Sequence, residues 1–194
     1  LLGVNESTVY YSSTEDNSIE RVIYSISLNG KNKKAISPKN GFNGASFTSN
    51  YKYFIHTFED SNTPLVYSLR ESKNGELVRR IMDNNELLKK LEPYDLSRKD
   101  FSQINLNGQD LNMWMIKPTN FNPKKKYPVL IYQYSGPGSQ EVENRWNNNR
   151  DFWHQLLAQK GYIIVCVDGR GTGFKGKKFK KVTYGQLAKY ETED

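Results

Sequence analysis

Two apolar runs separated by one amphipathic segment constrain the fold of this chain more than any other feature. YPVLIYQYSG and YIIVCVDGRG are runs of the kind buried on both faces of a parallel sheet, and NRDFWHQLLAQKG between them has helical spacing. We expect Phe152, Leu156 and Leu157 to face the core, and Gly161 to end the helix. The order strand, helix, strand predicts a parallel α/β sheet with functional loops at the carboxyl ends of its strands.

Residues 1–84 follow a different pattern, in which short runs rich in aromatic and β-branched residues alternate with polar turns. Six runs are predicted strands: STVYYSST, VIYSISL, GASFTS, YKYFIHTF, LVYSLRE and LVRRIMD. The pattern repeats after 43 to 44 residues, so that the turn acids Glu15-Asp16 correspond to Glu59-Asp60 and Tyr24 to Tyr67. This is the period of a four-stranded propeller blade, with a generic antiparallel sheet as the alternative. Since two blades do not close a ring, we expect the chain to be part of a larger protein.

The rest of the chain divides into a helical linker and a third segment. NELLKKLEPYDLSRKD, residues 85–100, predicts a short helix that ends at Pro93. From residue 101 the run FSQINLNGQDLNMWMIKP predicts a hairpin with Asn107-Gly108 as its turn, and GQLAKYETED predicts the start of a helix near the end of the sequence. The predicted domains are therefore residues 1–84, 85–100 and 101–194.

Composition excludes several classes of function. The 194 residues carry a net charge of +7, but the lysines cluster in turn-like stretches such as KNKK and KKK without interleaved aromatic residues. This pattern indicates solvated loops, so we predict no nucleic-acid partner. The single cysteine, Cys166, lies inside an apolar run and is interpreted as a small core residue. No run reaches the length of about 18 apolar residues that a membrane-spanning helix needs.

The glycine-rich stretch that begins at Gly171 matches two phosphate-binding patterns. GTGFKG fits G-x-G-x-x-G, but the segment KKFKKVTYG after Gly176 makes a poor first helical turn. GTGFKGK fits the start of a P-loop, but Lys178 occupies the position where Ser or Thr holds Mg²⁺. A glycine-rich turn is the favoured interpretation, and we predict no cofactor. A nucleotide-binding α/β protein stays open as an alternative.

The sequence does not contain a complete set of catalytic residues for hydrolysis. The sequence contains no G-x-S-x-G nucleophile elbow and no zinc-binding spacing, and His56 and His154 are interpreted as structural or exposed residues. Tyr134, at the end of the strand in IYQYSGPGSQ, is the one candidate. Its phenol is placed to donate a hydrogen bond to developing negative charge in an oxyanion hole. An ordinary core tyrosine at a strand end is the alternative.

Several motifs together resemble a known family. KPTNFNPKKKYPVLIYQYSGPGSQEVENRW and YIIVCVDGRGTGFKG contain the marks Y-x-G-P-G-S-Q and D-G-R-G-[ST]-G, and the likeness covers residues 116–194. They resemble the start of the hydrolase domain of the prolyl oligopeptidase family, in particular its dipeptidyl peptidase IV branch. The resemblance implies a mixed fold, the last blades of a β-propeller followed by the N-terminal part of an α/β-hydrolase.

The same resemblance implies a function. The full-length protein would be a serine exopeptidase that releases dipeptides from peptides with a free N-terminus, often after Pro or Ala. Tyr134 matches the family tyrosine whose hydroxyl lines the oxyanion hole, and the DGRGTG loop binds no nucleotide. The nucleophile, Asp and His of the triad are not among these residues, so the chain alone is expected to be inactive. The family also implies a homodimer and a periplasmic, secreted or membrane-anchored location. A non-catalytic interaction module of the same fold is a second alternative.

Overall fold

Two compact units make up the chain in a computed structural model that describes residues 1–146 and 148–194. The first unit contains residues 1–90 together with residues 144–146, and the second contains residues 91–143 and 148–194. The division at residue 90 falls inside the predicted linker. Among the described helices, none is both long and apolar enough to cross a membrane.

The first unit contains two four-stranded antiparallel sheets whose strands are neighbours in chain order. One sheet consists of β1 (Gly3–Val4), β2 (Thr8–Ser13), β3 (Val22–Ser27) and β4 (Lys34–Ala35). The other consists of β5 (Phe42–Phe47), β6 (Tyr53–Asp60), β7 (Thr63–Glu71) and β8 (Leu77–Met82). All six predicted strands are confirmed, whereas β1 and β4 were missed because two residues are too few to show an alternating pattern.

Aromatic rings supply much of the core of this unit. Tyr10, Ile23, Ile36 and Phe54 are each at most 5% exposed and form one cluster. Phe47 packs against this cluster, and its ring centroid lies 4.4 Å from that of Tyr10 and 5.2 Å from that of Phe54. Each large ring buries more apolar area than an aliphatic side chain, so a chain of low hydrophobicity still builds a core.

The interpretation of Glu59 as a turn acid is wrong. Glu59 lies in β6, is 6% exposed, and accepts a hydrogen bond from Arg145 Nε at 2.6 Å. The Arg145 guanidinium also lies 4.5 Å from the centroid of the Phe42 ring. A carboxylate is buried at low cost only when a cation or hydrogen-bond donor meets it, and this partner is 86 residues away in the sequence. Asp16, in contrast, follows β2 in a loop, where it accepts a hydrogen bond from the Tyr24 hydroxyl at 2.8 Å.

His56 is structural, as predicted, and it is held as a neutral ring. It is 2% exposed, its Nε2 lies 2.8 Å from Asn43 Oδ1, and its Nδ1 accepts a hydrogen bond from Arg70 Nε at 3.2 Å. The amide oxygen requires a proton on Nε2, and the guanidinium requires a lone pair on Nδ1. Burial, with the charge of Arg70, lowers the pKa of His56 from 6.5 to about 4.

This histidine predicts a loss of stability in acid. Because the unfolded chain takes up the His56 proton near pH 6.5 and the folded chain only near pH 4, stability falls as the pH falls through that window. The contribution is at most about 3 kcal/mol. Thermal unfolding followed by circular dichroism at pH 7 and pH 4.5 should show a larger fall in Tm for the wild type than for His56→Gln. Equal falls in the two proteins would contradict the prediction.

A helix and a mixed sheet follow along the chain. α1 (Asn85–Leu91) and a single 3₁₀ turn over Glu92–Tyr94 confirm the predicted helix before Pro93. The sheet of the second unit has the order β11 (Val129–Tyr132), β12 (Ile163–Asp168), β10 (Gln109–Ile116) and β9 (Lys99–Leu106). β11 and β12 are parallel, as predicted, and β10 is antiparallel to both β12 and β9. The predicted hairpin turn is confirmed, since Asn107 and Gly108 both have positive φ.

The crossover helix buries a face that overlaps the predicted one only in part, because Phe152 and Leu157 are half-buried but Leu156 is exposed. α2 (Asn148–Gln159) buries His154, Gln155 and Ala158, whereas Leu156 is 46% exposed. Gln155 accounts for part of the difference, because its amide donates to Ser97 O at 2.7 Å and accepts from Ser97 N at 2.8 Å. Gln155, whose hydrogen-bond partner lies within the protein, therefore takes a position that a hydrophobicity pattern assigns to the surface. Gly161 follows the helix with φ +88°, as its predicted role requires.

Within these 194 residues β11 is the edge strand of its sheet, and only one of its two faces is covered. Val129 and Ile131 are 55% and 68% exposed. Tyr132, on the opposite face of the same strand, packs its ring 5.2 Å from His154 of α2. Successive side chains of a strand point to opposite faces, so α2 covers only the face that carries Tyr132.

Trp114 is the largest fully buried side chain of the second unit. It is 1% exposed, and its Nε1 donates to Glu141 O at 3.1 Å. Its ring lies 5.1 Å from Lys99 Nζ and 5.4 Å from the His154 ring. Lys99 in turn pairs with Asp151 of α2 at 2.9 Å. Trp114 therefore joins the sheet, α2 and the segment that follows β11.

Candidate functional site

Two loops lie side by side at the carboxyl ends of the parallel strands. Tyr132, the last residue of β11, is in register with Cys166 of β12. We call residues 133–143, after β11, the tyrosine loop, and residues 168–176, from the end of β12, the glycine loop. Such an edge is where α/β sheets place their binding and catalytic groups.

Tyr134 projects from the tyrosine loop into solvent. Within these 194 residues Tyr134 is 68% exposed. A Cβ atom on Gly136 would lie 2.6 Å from Tyr134 Cε1, so the ring lies against the bare backbone of that glycine. The backbone between and beyond them bends sharply, with Ser135 at φ +52° and Gly138 at φ +77°. The phenol is therefore accessible to a ligand, which its predicted role in an oxyanion hole requires.

Backbone hydrogen bonds join the two loops. Gly138 N donates to Gly171 O at 2.9 Å, and Gly173 N donates to Ser139 O at 2.7 Å. Ser139 also closes the turn of its own loop, because both its N and its Oγ donate to Gly136 O. Hydrogen bonds therefore fix the residue before Pro137 and the residue after it. Gly136 O accepts from Ser139, and Gly138 N donates to Gly171 O.

Asp168 is the first residue of the glycine loop and the last of β12. It is 3% exposed, and its carboxylate accepts hydrogen bonds from two consecutive backbone N–H groups of the tyrosine loop. Glu141 N lies 3.0 Å from Oδ1 and 3.2 Å from Oδ2, and Val142 N lies 2.9 Å from Oδ2. Burial raises the pKa of Asp168, and these N–H groups oppose that rise. Sequence reasoning missed this residue; the available signal was an acid at the end of an apolar strand.

Glu141, within the tyrosine loop, is bound by two polar side chains from outside the loop. Glu141 Oε2 accepts a hydrogen bond from the Tyr132 hydroxyl at 3.1 Å and from Arg150 at 2.6 Å. Burial raises the pKa of Tyr132, and the neighbouring Glu141 carboxylate adds to the rise. The phenol of Tyr132 therefore stays protonated and acts as a hydrogen-bond donor within the protein.

The glycine loop does not have the geometry of a phosphate site. A helix does follow it, since α3 (Lys177–Lys181) begins right after Gly176, so the expectation of a poor helical start was wrong. However, a Cβ atom on Gly176 would meet nothing within 4 Å, whereas the third glycine of a dinucleotide site packs its helix against the strand. Gly171 N donates to Phe179 O at 3.1 Å, and Gly173 N to Ser139 O. Amides that a phosphate would need are therefore engaged within the protein.

The remaining candidates are structural. Cys166 is completely buried, and burial raises the pKa of its thiol, which keeps it protonated and unreactive. His154 is 2% exposed, and its Nδ1 lies 3.9 Å from Asp151 Oδ1. The predicted helix at the end of the sequence is α4 (Lys189–Glu193), shorter than expected because Ala188 before it has φ +66°. In residues 1–146 and 148–194, no three His, Cys, Asp or Glu side chains are grouped to hold a metal ion.

Comparisons with known proteins identify the family. The family model described as the N-terminal region of dipeptidyl peptidase IV matches residues 1–65, and the model of the prolyl oligopeptidase family matches residues 148–194. The chain belongs to the prolyl oligopeptidase family. This confirms the resemblance seen in the Y-x-G-P-G-S-Q and D-G-R-G-[ST]-G motifs, and it relates residues 1–65 to the dipeptidyl peptidase IV branch of that family.

Individual relatives agree along almost the whole chain. A probable dipeptidyl-aminopeptidase B of Pyrenophora teres f. teres is 37% identical over 98% of the chain, and one of Phaeosphaeria nodorum is 35% identical over 98%. The crystal structure of Porphyromonas gingivalis dipeptidyl peptidase 4 superposes on all of the chain with a TM-score of 0.94 and 42% identity. The chain spans about a fifth of the length of these curated relatives, 21% in each case, and 27% of the solved structure.

Proposed function

We propose that these residues are part of a serine exopeptidase that releases N-terminal dipeptides, often after Pro or Ala, through an acyl-enzyme. The observation that carries the proposal is the position of Tyr134, an exposed phenol at the carboxyl end of a parallel strand, on a loop held by hydrogen bonds to the neighbouring loop. When a nucleophile attacks a peptide carbonyl, the oxygen becomes negative. A phenol fixed beside it donates a hydrogen bond that strengthens as this charge develops.

The proposal includes a finer description of the fold. The two four-stranded sheets of the first unit would be the last blades of a β-propeller, and the mixed sheet would be the N-terminal part of an α/β-hydrolase, with a helical linker between them. The repeat of 43 to 44 residues supports the blades, because each repeat coincides with one sheet. The parallel pair β11 and β12, joined by α2, supports the hydrolase part. The boundaries that we propose are residues 1–84, 85–100 and 101–194.

The serine, acid and histidine of the mechanism would come from outside these residues. No G-x-S-x-G elbow occurs in the chain, and neither His56 nor His154 is exposed to meet a substrate. A phenol without a nucleophile forms no covalent intermediate, so the 194 residues alone would have no peptidase activity. The substrates would be peptides with a free N-terminus. By analogy with the family, the proposal extends to a homodimer in a periplasmic, secreted or membrane-anchored location.

Hydrolysis by the full-length protein tests the proposal. A chromogenic Gly-Pro anilide with a free amino group should be cleaved, and its N-acetylated analogue should not. The enzyme would recognise a charged amino group two residues before the bond that it cleaves, and acetylation removes that charge. A fluorophosphonate probe should label one serine of the full-length protein and abolish the activity. Labelling and hydrolysis that are both absent would favour the alternative, a non-catalytic interaction module of the same fold.

A further inference from the structure

We propose that the glycine loop holds Tyr134 in its working position, and that Asp168 is the positioning residue of that device. The inference rests on the proposed function, because it assigns a task to the DGRGTG motif within the same reaction. The motif resembles a nucleotide-binding pattern, yet its amides and its carboxylate bind the tyrosine loop instead.

The tyrosine loop needs an external support. Tyr134 is 68% exposed within these 194 residues, so packing among them does not fix its side chain. The residue after it, Ser135, has φ +52°, a conformation that non-glycine residues adopt only where the surrounding structure imposes it. A loop with these properties would relax to other conformations if it were free. The oxyanion would then meet the phenol in only part of the population, and the reaction would slow.

The glycine loop supplies that support at two places. Near the turn, Gly138 and Ser139 exchange backbone hydrogen bonds with Gly171 and Gly173. The approach is so close that a Cβ atom on Gly173 would lie 2.9 Å from Gly138 O. The last glycine of the GTG sequence is therefore required by contact between two loops and not by contact with a ligand.

Further along, the Asp168 carboxylate holds the other end of the tyrosine loop. Its two oxygens accept from the consecutive N–H groups of Glu141 and Val142, at 2.9 to 3.2 Å. Asp168 is itself placed by the sheet, since it is in register with Asn112 of β10. A carboxylate that is 3% exposed depends on such donors, because an ion buried without them is very unfavourable. The loop and the carboxylate thus stabilise each other in one arrangement.

A double-mutant cycle in the full-length protein tests the inference. Asp168→Asn keeps the shape of the side chain but presents an amide N–H to one of the two backbone donors. We expect kcat for Gly-Pro anilide to fall by about 10- to 100-fold with KM changed less than about threefold, as for a catalytic group displaced by about 1 Å. In the Tyr134→Phe background the same substitution should lower kcat by less than about threefold, because the group that Asp168 positions is already absent.

Two further variants separate positioning from a general loss of stability. Gln155→Ala removes the paired hydrogen bonds to Ser97 on α2, so it should lower Tm while leaving kcat within about twofold of the wild type. Gly173→Ala disturbs the contact with Gly138 and should repeat the non-additive result even if Asp168→Asn does not fold.

Other outcomes would overturn the inference. Equal losses of kcat from Asp168→Asn or Gly173→Ala in both backgrounds, with a large effect of Tyr134→Phe, would overturn the positioning role and leave the proposed function intact. An unchanged kcat in Asp168→Asn would also overturn the positioning role and leave the proposed function intact. If Tyr134→Phe itself had no effect on kcat, both the inference and the proposed role of Tyr134 would fail.

Discussion

Tyr134→Phe in the full-length protein should lower kcat for Gly-Pro anilide by about 100- to 1000-fold, the usual cost of losing one oxyanion donor. The substitution removes one oxygen atom from a side chain that is 68% exposed, so the free energy of unfolding should hardly change. KM should stay within about threefold of the wild type, because the hydrogen bond gains its strength only as charge develops on the carbonyl oxygen. Steady-state kinetics, with the active serine counted by a fluorophosphonate probe, measures both constants.

Tyr94→Phe is the matched control for this prediction. Tyr94 is 61% exposed, lies in the 3₁₀ turn after α1, and loses the same hydroxyl group. The kcat of the Tyr94→Phe variant should equal that of the wild type. A loss of less than about fivefold in Tyr134→Phe would show that the phenol is not an oxyanion donor, even in a protein that cleaves the substrate.

Trp114→Ala should destabilise the second unit by about 3 to 5 kcal/mol, the usual range for emptying a buried aromatic site. The side chain fills the space between β10, Lys99 and α2, and its Nε1 holds Glu141 O at 3.1 Å. Its removal leaves a cavity, an unpaired carbonyl group and a less shielded ion pair between Lys99 and Asp151. We therefore expect a larger loss of stability than from any exposed tryptophan of this chain.

Hydrogen exchange followed by mass spectrometry measures this effect within the full-length protein. The slowest amides of β10 and β12 should lose at least about 100-fold in protection, which corresponds to about 3 kcal/mol of opening free energy. Trp153→Ala, on the exposed side of α2, removes the same side chain where it is 56% exposed and should change protection by less than about threefold. Similar losses in the two variants would contradict the assignment of Trp114 to the core.

Local signals predicted the elements of this chain well. The Asn-Gly turn predicted the β9–β10 hairpin, alternating runs predicted the six longer strands of the first unit, and Gly161 predicted the end of the crossover helix. Each of these features depends on the conformations that a few consecutive residues prefer. The position of Tyr134 at a strand end suggested its role, and the motifs added the family and strengthened that proposal.

The sequence by itself determined the order and type of the main elements, the parallel pairing of the two apolar strands, and the family. Only the tertiary structure decided which side chains are buried and which loops meet. Glu59 is paired with a residue 86 positions away, and the Asp168 carboxylate with backbone 26 and 27 positions away. The buried face of α2 is likewise decided by Ser97, a partner 58 positions before Gln155. Period and propensity describe neighbours in sequence, whereas the burial of a charged or polar group depends on the partner that folding brings to it.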